Sequence, residues 1–272
     1  MSTRIAILGG GVMGETLLSA LLAAGHATAD LVVSEKLEER ADQLRERHRV
    51  DVTGNTEAVD GADVVLIVVK PQDVPAVLEE IATAVDPDAT VVSLAAGIRI
   101  ATVEDALPDG IAVVRAMPNT PALVGEGMFG ISPGSSCTDE RLQQVRELLS
   151  TGGKVAVVDE AGQDAVTAVS GSGPAYVFYL AEAMIDGGVQ AGLEADTART
   201  LATQTLVGAA KLLATSDDDA TELRRRVTSP NGTTAAAIET FDERGVRDGL
   251  VAGVLAAARR SAELSAPTDE QG

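Results

Sequence analysis

Short apolar bursts alternate with longer amphipathic stretches through the first half of the chain. Residues 4–8, 31–34, 63–69, 90–94 and 111–116 are rich in Val and Ile and are bounded by Gly, Asp or Pro, which predicts short buried strands. Residues 14–24, 37–47, 72–84 and 100–107 between them have helical spacing, with Pro75 in a first turn, where proline is tolerated. Alternation of this kind predicts an α/β fold, a mostly parallel sheet with helices on both faces. Residues 129–133, a helix over 140–149 and residues 154–158 complete it.

Beyond about residue 159 the strand bursts stop. Ala, Leu, Thr and Glu take over with helical periodicity, predicting helices over 163–169, 174–190, 196–213, 220–227, 233–242 and 246–262. The division expected is residues 1–158 as a dinucleotide-binding domain and 159–272 as an all-helical one. The tail from Ala266 is polar and is expected to fray. The apolar stripes of the helical part are numerous for so small a domain, so some are expected to pack against a second copy of the chain.

Charge and composition narrow the function. The chain of 272 residues has 21 Lys+Arg against 41 Asp+Glu, a formal net charge of −20. Such a chain is a poor partner for a phosphate backbone, and with two Tyr, three Phe and no Trp it lacks stacking platforms, so no nucleic acid is expected. A single cysteine, Cys137, excludes an internal disulfide and a cysteine-cluster zinc site, and no metal is expected. No apolar run approaches the roughly 20 residues of a membrane span, and the N-terminus lacks a signal-peptide layout, so a cytoplasmic protein is expected. The acidity fits either a solvated surface or a salt-rich cytosol. Four Lys against many Asp and Glu favour the second.

The run G-G-G-V-M-G at 9–14 contains G-x-G-x-x-G as Gly9, Gly11 and Gly14. It follows the first strand and opens the first helix, the context in which this spacing admits a dinucleotide pyrophosphate to the helix N-terminus. The second strand ends in Ser34-Glu35-Lys36. An acid there suits the 2′-hydroxyl of NAD, whereas Ser34, Lys36 and Arg40 suit the 2′-phosphate of NADP. Both remain open at this point. Lys70 follows the next strand, Ala95-Ala96-Gly97 ends another, and Met117-Pro118-Asn119-Thr120-Pro121 forms a stiff loop. All three fall at carboxyl ends of strands, where such sheets bind ligands.

Two Gly/Ser-rich helix starts, S-G-S-G-P at 170–174 and S-P-N-G-T-T at 229–234, offer hydroxyls and unpaired backbone N–H groups. One alone reads as helix capping; two suggest a small anionic substrate. His26 and His48 lie near helix ends and read as surface or capping residues. Tyr176 and Tyr179 read as packing residues. Reduction of a carbonyl needs an acid for the developing alkoxide. Hydride addition to a protonated imine gives a neutral amine and needs none, so a site of hydroxyls and N–H groups suffices.

Taken together, G-G-G-V-M-G, V-K-P at 69–71, A-A-G at 95–97, R-A-M-P-N-T-P at 115–121, V-S-G-S-G-P-A-Y at 169–176 and S-P-N-G-T-T resemble the pyrroline-5-carboxylate reductase family, in order and over nearly the whole chain. The resemblance implies an N-terminal Rossmann-type domain followed by an all-helical dimerisation domain. It also implies reduction of 1-pyrroline-5-carboxylate to L-proline with NADP, or NAD, as cofactor. It implies a homodimer with intertwined helical domains and shared active sites, and further assembly to a decamer. By position, Thr234 would bond the ring nitrogen, and Ser229 with the N–H groups of Gly232 and Thr233 would hold the carboxylate. Ser172 would lie near the substrate, and Asn119 and Thr120 beside the nicotinamide. Gly9, Gly11, Met13, Gly14, Ser34, Asn55, Lys70 and the turn from Ala95 to Gly97 would line the cofactor. Asn231 stands where the family usually has a second glycine. Asn tolerates positive φ best among non-glycine residues, so the loop shape is expected to survive.

Two other readings fit less of the sequence. A hydroxyacid-type reductase would need a Lys or His acid in the helical half, whose only Lys is Lys211, in mid-helix. An NAD(P)-sensing regulator without turnover would leave the two hydroxyl clusters unused.

Overall fold

The computed structural model describes residues 3–266. An eight-stranded sheet forms from β1 (Ile5–Leu8), β2 (Leu31–Ser34), β3 (Asp51–Thr53), β4 (Val64–Ile67), β5 (Thr90–Ser93), β6 (Ala112–Met117), β7 (Gly127–Pro133) and β8 (Gly153–Val157). Its order is β3-β2-β1-β4-β5-β6-β7-β8. Every neighbouring pair is parallel except β6 with β7, where Val114 faces Pro133 in antiparallel register. The order reverses beside β1, so the crevice at its carboxyl end is the topological switch point of a doubly wound sheet.

The unbroken apolar strands have a packing reason. Ile5 and Ile7 of β1 join Val64 and Leu66 of β4 in one core. Ala6 and Leu8 join Val65 and Ile67 in a second. Alternate residues thus feed cores on opposite faces, and both faces must be apolar. Helices α1 (Val12–Ala23), α2 (Glu38–His48), α3 (Asn55–Val59), α4 (Val74–Ile81), α5 (Ile100–Glu104) and α6 (Asp139–Leu149) connect the strands. Strand β3 and helix α3 lie where the sequence pattern predicts neither. Only Val52 of β3 is buried, so no period-two signal exists to read.

Two compact units divide the chain. The first runs through Ser172 and takes in residues 257–266; the second is Gly173–Ala256. The helix expected over 163–169 is instead a short α7 (Gln163–Val166) followed by a π-turn at Thr167–Gly171. The wider turn closes with Ser172 N–H donating to Thr167 O at 2.8 Å. The second unit holds α8 (Gly173–Gln190), α9 (Ala195–Thr215), α10 (Ala220–Arg226), α11 (Thr233–Glu243) and the start of α12 (Val246–Ser265). Phe178, Tyr179, Leu201, Val207 and Leu255 lie more than half exposed on these helices. That is more apolar surface than a lone unit of this size presents to water, and a partner must cover it. Tyr179, expected to pack, is 72 % exposed within its own chain.

Candidate active site

The glycine run separates into three roles. Gly9 has φ +110°, and a Cβ there would lie 3.0 Å from the Val68 backbone. A Cβ on Gly14 would lie 1.9 Å from the Gly9 carbonyl oxygen, so these two glycines let α1 close onto β1 and β4. Gly11 has no neighbour within 4 Å of a Cβ position. It sits at the N-cap of α1 in extended conformation and leaves open space beside free N–H groups, which fits a pyrophosphate. Met13 is half-buried against the core rather than turned wholly to the loop.

At the end of β2, the carboxylate of Glu35 accepts N–H groups from Gly10 at 3.2 Å and Leu37 at 2.9 Å. Ser34 donates its hydroxyl to Asn55 Oδ1 at 2.6 Å, and its carbonyl receives the Gly9 N–H at 2.9 Å. Asn55 in turn donates to Glu80 at 2.7 Å. Arg40, a candidate phosphate ligand in the sequence, is engaged elsewhere. Its Nε donates to Gly10 O at 2.8 Å and its Nη2 to Glu15 at 2.5 Å. Lys36 is exposed, with a long 3.4 Å contact to Asp73.

Glu15 organises this corner. Arg47 donates to it at 2.6 Å, and His48 Nε2 lies 2.8 Å away. Burial pushes the Glu15 carboxyl up, but hydrogen bonds from His48, Arg40 and Arg47 outweigh it and hold the pKa at about 2. His48, expected as a surface or capping residue, is the last residue of α2 and has a side chain only 12 % exposed, because the network draws it in.

Three loops gather at the carboxyl edge of the sheet. Lys70 is exposed and makes no ion pair among the described residues. Ala95 is buried, and Gly97 has φ +77°. Asn119 Oδ1 accepts Met128 N–H at 2.8 Å, and its Nδ2 reaches Ser170 O and Oγ at 3.2 Å, tying the loop to the π-turn. Thr120 follows it, exposed. A cavity of about 400 Å³ opens here, lined by Pro71, Gly97, Thr167 and Ser172 and by Arg260 and Ser261 of α12. The structure thus brings Gly97 and Ser172 to one cavity. Nothing in the sequence pointed to Arg260 and Ser261, which are distant in the chain and sit in an ordinary helical stripe.

The remaining predicted residues belong to the second unit. Gly232 N–H bonds back to Ser229 O at 3.0 Å, forming a tight turn before α11. A Cβ on Gly232 would lie 2.5 Å from Ser229 Oγ. Asn231 has φ +61°, the left-handed conformation that the sequence expectation required of it. Ser229 and Thr233 are exposed and Thr234 is half-buried. No helix among the described residues is long and apolar enough to cross a membrane.

A doubly wound sheet of this order, with a glycine-rich first crossover, defines a dinucleotide-binding protein. Residues 160–264 match the family described as pyrroline-5-carboxylate reductase dimerisation. Residues 4–97 match the family described as NADP oxidoreductase, coenzyme F420-dependent. A pyrroline-5-carboxylate reductase from Corynebacterium melassecola is 45 % identical over 96 % of this chain and 98 % of its own. The solved pyrroline-5-carboxylate reductase of Coxiella burnetii superposes with a TM-score of 0.93 at 32 % identity, covering 98 % of this chain and 100 % of that one. The Plasmodium falciparum pyrroline carboxylate reductase, solved with NADP bound, gives 0.85 at 26 % identity, covering 97 % and 98 %. The chain belongs to the pyrroline-5-carboxylate reductase family.

Proposed function

We propose that this protein reduces 1-pyrroline-5-carboxylate to L-proline with NADPH, NADH serving as an alternative donor. The observation that carries the reading is near-full-length identity of 45 % to a reductase of that name, joined to a glycine crossover whose open position, Gly11, faces free space. The cofactor, when bound, supplies the hydride. Gly9, Gly11 and Gly14 shape its phosphate cradle. Ser34, Asn55 and Lys36 bear on its ribose end, with Arg40 committed to Glu15. Lys70, Ala95, Gly97, Asn119 and Thr120 frame the crevice.

Thr234 orients the ring nitrogen through its hydroxyl. Ser229 with the Gly232 and Thr233 N–H groups binds the carboxylate, and Ser172 closes the substrate side. None of these groups transfers a proton to oxygen, because reduction of an iminium creates no alkoxide. The dimerisation region and the exposed apolar helices support a homo-oligomer. A dimer that assembles to a decamer, in the cytoplasm, completes the proposal. Consumption of NADPH and NADH with 1-pyrroline-5-carboxylate, at low and high salt, tests it. Formation of proline is the expected outcome; no turnover with either cofactor in either salt overturns it.

A further inference from the structure

A second cavity in the first unit, of about 260 Å³, is lined by Arg99, Arg115, Glu160, Ala161, Asp164 and Ser265. Arg115 on β6 is only 7 % exposed. Its guanidinium carries five N–H donors, and the described residues give it one acceptor, Glu160 Oε1 at 3.1 Å. That oxygen is already shared, since it accepts the Ile100 N–H at 2.8 Å. Ser265 Oγ is buried without a hydrogen-bond partner among the described residues. Arg99 is exposed and makes no ion pair among them. Asp164 accepts one hydroxyl, that of Ser261, at 2.7 Å.

The Arg115 N–H groups that Glu160 leaves free open onto this cavity, beside the buried Ser265 hydroxyl, and a polar occupant can meet both. Two carboxylates oppose a simple anion, and two guanidinium groups oppose a simple cation. Opposite charges around one small volume suit a molecule that carries both. We propose that this cavity binds a small α-amino acid as its zwitterion. The carboxylate meets Arg99 and Arg115, and the ammonium meets Asp164 and Glu160. Occupancy reaches the neighbouring 400 Å³ cavity through two existing bonds. Glu160 holds Ile100, just after the Gly97 turn, and Asp164 holds Ser261, which lines that cavity. The binding claim stands independently of the proposed reaction.

The test is calorimetric titration of the full chain with glycine and with L-alanine, with acetate and methylammonium as single-charge controls. The expected result is saturable binding of both amino acids, one per chain, without saturation by either control. Arg99→Ala should weaken binding at least tenfold, and this exposed position tolerates the change. Asp164→Asn, which keeps the acceptor for Ser261, should weaken it similarly. Absence of amino-acid binding overturns the proposal. So does acetate binding as tightly, or binding that survives Arg99→Ala but is lost in Ser172→Ala.

Discussion

Gly14 lies against Gly9 so closely that a methyl group on it would meet the Gly9 carbonyl oxygen at 1.9 Å, whereas one on Gly11 would meet nothing within 4 Å. Two glycines of one fingerprint therefore serve different ends. Gly14→Ala should destabilise the fold by more than about 2 kcal/mol, since backbone rather than a side-chain tip must move. Gly11→Ala should leave stability within about 0.5 kcal/mol and weaken NADPH binding at least tenfold. Urea unfolding and cofactor titration separate the two. Equal effects on both properties by both variants would refute the division.

Asn231 occupies left-handed backbone at φ +61°. Asn231→Gly should keep or slightly raise stability, and Asn231→Ala should lower it by about 1 kcal/mol. If Asn231 also shapes the substrate loop, the glycine variant changes KM for 1-pyrroline-5-carboxylate while kcat stays within about twofold. Thermal unfolding and steady-state kinetics check both parts.

The Glu15 network makes stability fall in acid. The folded carboxyl sits at about 2, below the ordinary glutamate value of 4.5. Its contribution is therefore fully present above pH 4.5 and is lost as the pH falls from there through about 2. Wild type should exceed Glu15→Gln in urea midpoint at pH 7, and the gap should narrow steadily between pH 4.5 and 2. A constant gap across that range would remove Glu15 as the cause.

Lys36 is held only by a 3.4 Å ion pair to Asp73, whereas Arg40 is bound to Glu15 and Gly10, so Lys36 is the more available cation for a 2′-phosphate at the proposed ribose end. Lys36→Ala should raise KM for NADPH roughly tenfold, about one charged contact, with KM for NADH nearly unchanged. Parallel changes for both cofactors would place the 2′-phosphate elsewhere.

The doubly wound core was legible because its strands are buried on both faces. Ile5 through Leu8 feed two cores at once and read as an unbroken apolar run. The glycine crossover was legible because its spacing is local. What escaped depends on distant partners. Strand β3 buries a single residue and carries no pattern. The π-turn is tied by Asn119 to Ser170, and a Cβ on Gly171 would lie 2.7 Å from Met117 Cε. Neither contact is written in the sequence around residue 167. The sequence left Arg40 open to a 2′-phosphate, and its pairing with Glu15, 25 residues away on another helix, is not written around residue 40. His48 was drawn inward by the same carboxylate. The contribution of α12 to the cavity follows from its last turns rejoining the first unit, which helical periodicity does not encode.

The proposed chemistry is hydride transfer to the carbon of a ring imine held by hydroxyl and backbone groups. Single-turnover reaction of 1-pyrroline-5-carboxylate with NADPH carrying deuterium at the transferred position addresses it directly, in wild type and in Thr234→Ala. The expected product is proline with one deuterium on the ring carbon that was double-bonded to nitrogen, formed at least a hundredfold more slowly by the folded variant. Proline without that deuterium, or a variant as fast as wild type, would contradict it.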